Sequence, residues 1–293
     1  MAVRDRQGNL RGRAGDKINR VLGGKNIVQA IPDEVNQTEA TKKCSGEWGL
    51  VSTTGKVIRK AMSYICDFYD SDITNRLTAV VKKSITASDK KILHRDLHDG
   101  DTDVFAGFQF NIKSPVDRAL KVKPEVSVDE NYRVSFFLPA FSGKQDVVYP
   151  KFPSQLRCSI SVHITAFNLR KDYFIRLERR NADVRITENE PLEWYFSPLI
   201  PEGGIVFVCL SLAYFTDDNK SGRRYVNGKD WCPATILTAF HAGPGNTDEA
   251  SSGALDKEAL NGYMGNELIR NFLLVEEEDE TEVQQGVEMI IYS

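Results

Sequence analysis

Residues 156–169 read Leu-Arg-Cys-Ser-Ile-Ser-Val-His-Ile-Thr-Ala-Phe-Asn-Leu, and they decide the class of fold. Cys158, Ile160, Val162 and Ile164 alternate with Ser159, Ser161, His163 and Thr165. A period of two belongs to a strand, whose successive side chains point to opposite faces. Outward from this stretch, further strand candidates lie upstream at Val104–Ile112, Leu120–Val128 and Tyr132–Leu138. Downstream they are Tyr173–Ile186, Leu192–Phe196, Gly204–Phe215, Arg223–Val226 and Ala234–Phe240. Turn residues separate them, as in Pro201-Glu202-Gly203-Gly204 and Asp217-Asp218-Asn219-Lys220. Strands at this spacing, without alternating helices, predict an antiparallel β-sandwich over residues 104–293. The Gly-, Asn-, Ser- and Asp-rich residues 243–266 predict a surface loop. Leu268–Val275 and Val283–Tyr292 predict a closing hairpin.

Upstream the period lengthens. In residues 36–103, Leu50, Val51, Val57, Ile58, Ala61, Met62, Ile65 and Phe68 recur mostly at helical spacing behind Thr38, a residue type that caps helices. Gly46, Gly49 and Gly55 predict a break near residues 52–56. A second helix starts at Ser71 or Asp72 and carries the stripe Ile73, Leu77, Val80, Val81, Ile85. Together these predict a helical hairpin.

Residues 1–35 form a glycine-rich arm in which Lys17–Leu22 and Lys25–Ile31 flank Gly23-Gly24. Two glycines between short β-prone runs predict a hairpin with a type I′ turn, because both central positions need positive φ. The fold class expected is therefore α+β, mainly β: a glycine-rich hairpin and a helical hairpin followed by an antiparallel sandwich.

The stretch Gly8-Asn9-Leu10-Arg11-Gly12-Arg13-Ala14-Gly15-Asp16-Lys17-Ile18, the hairpin Asn19–Val28 and the helix start Thr38-Glu39-Ala40 carry a resemblance. So, in pattern, do Gly107-Phe108-Gln109-Phe110-Asn111 and the run Leu192–Phe215. The chain resembles a domain family of unknown function found in Bacteroidota genomes and their mobile elements. The resemblance implies a glycine-rich hairpin, a helical segment and a β-rich half. It implies no catalytic residue.

Composition narrows the function classes. The 293 residues are 41% hydrophobic and 27% charged, the profile of a globular chain with a sizeable core. The net charge of −3 argues against a protein built mainly to coat nucleic acid. The charge is uneven, however. Arg4, Arg6, Arg11, Arg13, Lys17, Arg20 and Lys25 crowd the start, and Glu276, Glu277, Glu278, Asp279, Glu280 and Glu282 crowd a late segment. The first residues lack the apolar core of a signal peptide, and no apolar run reaches membrane-span length. The expectation is synthesis in the cytoplasm, with any particle released by lysis. Five widely spaced cysteines, with no Cys-x-x-Cys pair, argue against a disulfide framework or a zinc site.

The motifs do not assemble a catalytic set. His94-Arg95-Asp96-Leu97 spells a kinase tetrad, but position 101 is Asp where Asn is required, and Asp-Phe-Gly is absent. His94 and His98 with Asp96, Asp99, Asp101 and Asp103 raise a metal reading. The calcium-loop pattern fails at Val104 and Phe110, so a solvated acidic turn is preferred. Gly23-Gly24-Lys25 lacks the rest of a P-loop. Ser159, Ser161 and His163 share a strand face without a nucleophile elbow. The catalytic set, metal and cofactor are all expected to be none.

The reading is a non-enzymatic structural subunit forming a homo-oligomer or filament, with a phage-like or injection-type particle as candidate setting. The basic arm and the acidic tip are its assembly residues, since opposite charges on one chain suit a head-to-tail contact. The alternative is a carbohydrate- or nucleic-acid-binding module using Trp194, Tyr195, Tyr225 and Trp231. Nucleic acid is the lesser partner, because no aromatic is interleaved with the basic residues of the arm.

Overall fold

A computed structural model describes residues 2–31, 37–66, 68–150, 156–218, 222–243, 256–271 and 273. The chain divides into two units, Met1–Lys42 and Lys43–Ser293. It is mostly β, with antiparallel sheets and a few helices.

In the first unit, β1 (Val3–Arg4), β2 (Leu10–Ala14), β3 (Lys17–Leu22) and β4 (Lys25–Ala30) form an antiparallel sheet in the order β1-β2-β3-β4. The β3–β4 turn is the one the glycines predict. Leu22 pairs with Lys25, and Gly23 and Gly24 hold φ of 54° and 78°. A side chain at either position would be strained, which is why two glycines stand there.

The helical stretch opens with α1 (Glu39–Ala61), where Thr38 Oγ1 accepts a hydrogen bond from the Thr41 amide at 3.2 Å. The break expected near residues 52–56 does not occur; α1 runs unbroken through all three glycines. They serve close packing instead. A Cβ on Gly55 would sit 3.3 Å from Thr78 Oγ1, and one on Gly46 would sit 3.1 Å from Leu93 Cδ1. The contacts they permit outweigh their helix propensity. Thr78 lies on α2 (Ile73–Thr86), whose N-cap position is Asp72, one of the two starts expected.

Two expected strands are corrected beyond α2. Val104–Ile112 is not pleated: Asp103–Phe105 make a 3₁₀ turn and Gln109 forms one isolated bridge to Thr235. Phe105, Phe108 and Phe110 are all buried in one cluster, a placement that strand alternation would forbid. Leu120–Val128 is a strand only at its end, because α3 (Val116–Ala119) precedes β5 (Glu125–Val128).

The remaining strands are β6 (Val134–Leu138), β7 (Phe141–Ser142), β8 (Leu156–Asn168), β9 (Tyr173–Asp183), β10 (Glu188–Asn189) and β11 (Leu192–Phe196). They are followed by β12 (Ile205–Asp218), β13 (Gly222–Tyr225), β14 (Ala234–His241) and β15 (Glu258–Ala259). Six of them build the central sheet in the order β13-β12-β8-β9-β15, with β14 also on β12. A second sheet has the order β11-β6-β5, and β7 pairs with β10.

The alternation along β8 and β12 sorts their side chains onto two cores. Ile160, Val162, Ile164, Val206, Val208 and Leu210 meet Val134, Phe136 and Phe196 of the smaller sheet. Phe167, Ile205, Phe207 and Cys209 meet Val57, Ile58, Leu77 and Val81 of α1 and α2. The central sheet thus carries a three-stranded sheet on one face and helices on the other. The helices and the central strands of the second unit share this core. The polar alternates of β8 are buried as well: Ser161, His163 and Thr165 are at most 2% exposed.

The second edge of β12 is divided. β14 pairs with Ile205–Ser211, and β13 pairs with Phe215–Asp218. At the seam the Asn227 side chain takes the place of a strand. Its Oδ1 accepts from the Tyr214 amide at 2.7 Å, and its Nδ2 donates to the Leu212 carbonyl at 3.0 Å. Near the C-terminus, residues 265–271 are helical, which corrects the strand expected from Leu268. Leu268 packs toward Gly49 of α1, a contact at helical spacing from Met264 and Gly265. Glu258–Ala259 pairs with β9 and Leu260 is buried, so this part of 243–266 is not a surface loop. Residues 244–255 and the strand expected at Val283–Tyr292 lie outside the described residues.

Candidate functional site

The N-terminal sheet collects the basic residues unevenly. Strand alternation and the pairings Val3↔Arg11, Arg13↔Ile18, Ile18↔Gln29, Arg20↔Ile27 and Leu22↔Lys25 place nine residues on one face. Four are cations, Arg11, Arg13, Arg20 and Lys25, and four are the aliphatics Val3, Ile18, Leu22 and Ile27. Arg4 and Lys17 fall on the opposite face with Leu10, Val21 and Val28, and Arg6 sits in the β1–β2 turn. No described residue of this sheet is buried; Val3, Leu22 and Val28 are each more than 60% exposed. Arg11 Nε bonds Asp5 Oδ2 at 3.1 Å. Amide hydrogen bonds from Asn9 and Gln7, and Arg11 itself, hold the Asp5 carboxyl below its usual range. Arg13 Nε donates to the Gly15 carbonyl at 3.0 Å. The acidic tip, Glu276 to Glu282, lies outside the described residues.

The acidic turn is a structural junction at Asp96 and Asp99 and is solvated only at Asp101 and Asp103. Asp96 is 5% exposed and accepts both Arg170 Nε (2.7 Å) and Nη2 (2.9 Å), while its Oδ1 also accepts the His98 amide at 2.8 Å. Asp99 accepts Arg170 Nη2 at 3.0 Å and Lys90 Nζ at 2.7 Å. Burial opposes ionisation of Asp99, but bonds from Lys90, the Asp96 amide and Arg170 outweigh it and lower its pKa. His98 Nε2 accepts the Leu169 amide at 3.0 Å, so its proton sits on Nδ1. Burial pushes its pKa down to about 4. Arg95 pairs with Glu47 at 2.7 Å. Asp101 and Asp103 are exposed, and Asp101 caps the Asp103 amide. Arg95 and Asp96 of the apparent kinase tetrad are thus both engaged in structural ion pairs. Among the described residues no three His, Cys, Asp or Glu side chains converge as a metal site.

A cavity of about 370 Å³ opens beside this junction, lined by His98, Asn168, Arg170, Lys171, Glu202 and His241 among others. His241 Nε2 bonds the Gly100 carbonyl at 2.8 Å. Its wall mixes both signs of charge, and Arg170 is already engaged by two carboxylates. Sequence reasoning missed this grouping because Leu169–Lys171 and His241 are remote in the chain from the acidic turn.

His163 and Ser211 meet across β8 and β12, with Nε2 3.0 Å from Oγ. His163 Nδ1 is buried with no hydrogen-bond partner among the described residues, and burial with the nearby Arg179 pushes the pKa to about 3. A Ser–His pair lacking an acid on Nδ1, and itself buried, lacks the orienting group that a nucleophilic dyad needs. The aromatics proposed for ligand binding do not form one platform. Trp194 stacks on Phe136 at 5.3 Å and Trp231 packs edge-on against Tyr214 at 6.3 Å, whereas Tyr195 and Tyr225 are exposed on different sheets. Among the described residues, no helix is long and apolar enough to cross a membrane. No protein-family model, curated protein or solved structure matches the chain.

Proposed function

We propose that this chain is a non-enzymatic assembly subunit whose N-terminal sheet docks on a second copy of itself. The observation that carries the reading is a four-stranded sheet with no buried residue, whose outer strands β1 and β4 pair with no further strand among the described residues. A sheet that leaves its aliphatic residues in water gains little from folding, and edge strands invite pairing with another chain. Charge selects the occupant. Seven of the 38 Lys and Arg and two of the 41 Asp and Glu lie in residues 1–30, which leaves the rest of the chain at −8. A second copy is therefore of opposite sign to the face bearing Arg11, Arg13, Arg20 and Lys25, and its run 276–282 supplies six of those acids. One face of nine residues falls short of the roughly 20–30 per side of a stable interface. The sheet needs a grip on an edge or on both faces, which head-to-tail repetition provides. A phage-like or injection-type particle is the setting this reading favours.

The test is light scattering across concentration and salt, with negative-stain images. Rings, tubes or filaments that weaken with salt are expected. Reversal of Arg11, Arg13, Arg20 and Lys25 to Glu should abolish them, and Arg4→Glu with Lys17→Glu should have the smaller effect. A monomer under every condition would sink the reading.

A further inference from the structure

Four of the five cysteines are buried and Cys44 is exposed. Two of the buried ones face each other although 166 positions separate them: Cys66 Sγ lies 3.1 Å from Cys232 Sγ. We infer that Cys66 and Cys232 form a reversible disulfide lock, open in a reducing compartment and closed by a hydroperoxide in an oxidising one.

Cys66 ends the helical run through Met62–Tyr64, and Cys232 stands just before β14. The loops bearing them are pinned together without any covalent bond. Asn111, fully buried, donates from Nδ2 to the Phe68 carbonyl (3.2 Å) and to the Lys229 carbonyl (2.7 Å). Asp70 holds the same region by accepting the Ile112 amide at 3.1 Å and pairing with Arg76. The Cys66 thiol also lies 3.3 Å from the Phe68 carbonyl and 3.6 Å from the Cys232 carbonyl. The thiols are therefore held at close range by neighbours that do not depend on their redox state.

Closing the bond needs about 1 Å of approach from the 3.1 Å that separates the sulfurs. By contrast, Cys158 and Cys209 face opposite sides of the central sheet, in different cores.

The chemistry balances with a hydroperoxide as oxidant. One thiol, as thiolate, attacks the O–O bond of hydrogen peroxide, giving a sulfenic acid and water. The second thiol displaces hydroxide from that sulfur and loses its proton, giving the disulfide and a second water. Two thiols are oxidised and one peroxide is reduced. Because both sulfurs are buried, exposed Cys44 reacts first.

The test uses the full chain carrying Cys44→Ser, so that surface dimers cannot form. After hydrogen peroxide treatment, alkylation and digestion without reductant, the Cys66 peptide should be joined to the Cys232 peptide, and dithiothreitol should separate them. The oxidised chain should melt roughly 5–10 °C above the reduced one. That rise should vanish in Cys66→Ala and, separately, in Cys232→Ala. Recovery of Cys66 and Cys232 as alkylated thiols, as separate sulfinic acids, or joined to Cys158 or Cys209 overturns the inference. The peptide map on the otherwise native chain decides the matter even if an alanine variant folds poorly.

Discussion

Acid should unfold this protein early, and His163 should be one cause. The side chain is 1% exposed, its Nδ1 has no hydrogen-bond partner among the described residues, and Arg179 lies near enough to repel a proton. In the unfolded chain a histidine titrates near 6.5. In the folded chain the value is pushed down to about 3. The folded state thus binds fewer protons than the unfolded state at any pH between the two values. The stabilising contribution of neutral His163 is complete above about 6.5 and is lost progressively toward pH 3. Between pH 7 and pH 5 the loss is about 2 kcal/mol from this residue alone. Urea unfolding at the two pH values measures it. In His163→Gln, which keeps a neutral polar group opposite Ser211, that part of the pH dependence should disappear. Equal losses in the native chain and the variant would refute the reasoning, and so would an imidazole titrating near 6 by NMR in the folded protein.

Other outcomes follow from the same geometry. His98, depressed to about 4 by burial, should add a further acid-labile contribution over the same window, seen as a shallower pH slope in His98→Gln. Asp96→Ala removes two bonds to Arg170 and the cap on the His98 amide, and should cost roughly 2–3 kcal/mol by urea titration. The figure stays modest because Arg170 is half exposed and regains water. Gly100→Ala places a Cβ 2.7 Å from the buried Ser84 carbonyl oxygen and should lower stability by about 1–3 kcal/mol, read as a fall in Tm. Replacing Gly23 and Gly24 with Ala, where φ is positive at both, should broaden or shift the amide resonances of Lys17–Ala30 and leave those of β8 and β12 unchanged.

The strands were readable wherever the chain alternates. β8, β11, β13 and β14 fall within a residue or two of where apolar spacing puts them, and the Gly23-Gly24 hairpin follows from turn chemistry alone. The failures have particular causes. Gly46, Gly49 and Gly55 look like helix breakers in one dimension, but in three they are where neighbouring side chains come close to α1. Phe105, Phe108 and Phe110 mimic a strand by density, yet all three enter the same core. Ser161, His163 and Thr165 read as the polar side of a strand, and nothing local reveals that helices cover them. At the acidic turn, Asp96 looks like a catalytic or metal-binding acid until Arg170, 74 positions away, is brought against it.

The seam at Asn227 divides the rim of the central sheet into two mechanically separate stretches. A backbone ladder unzips in sequence, each rung exposing the next. Here the rung between β14 and β13 is a single amide side chain, flanked by backbone bonds from Val226 to the Tyr214 carbonyl and from Leu212 to the Pro233 carbonyl. Losing that one carboxamide, as by slow hydrolysis to Asp, sets a carboxylate against the Leu212 carbonyl and removes the link between the two stretches.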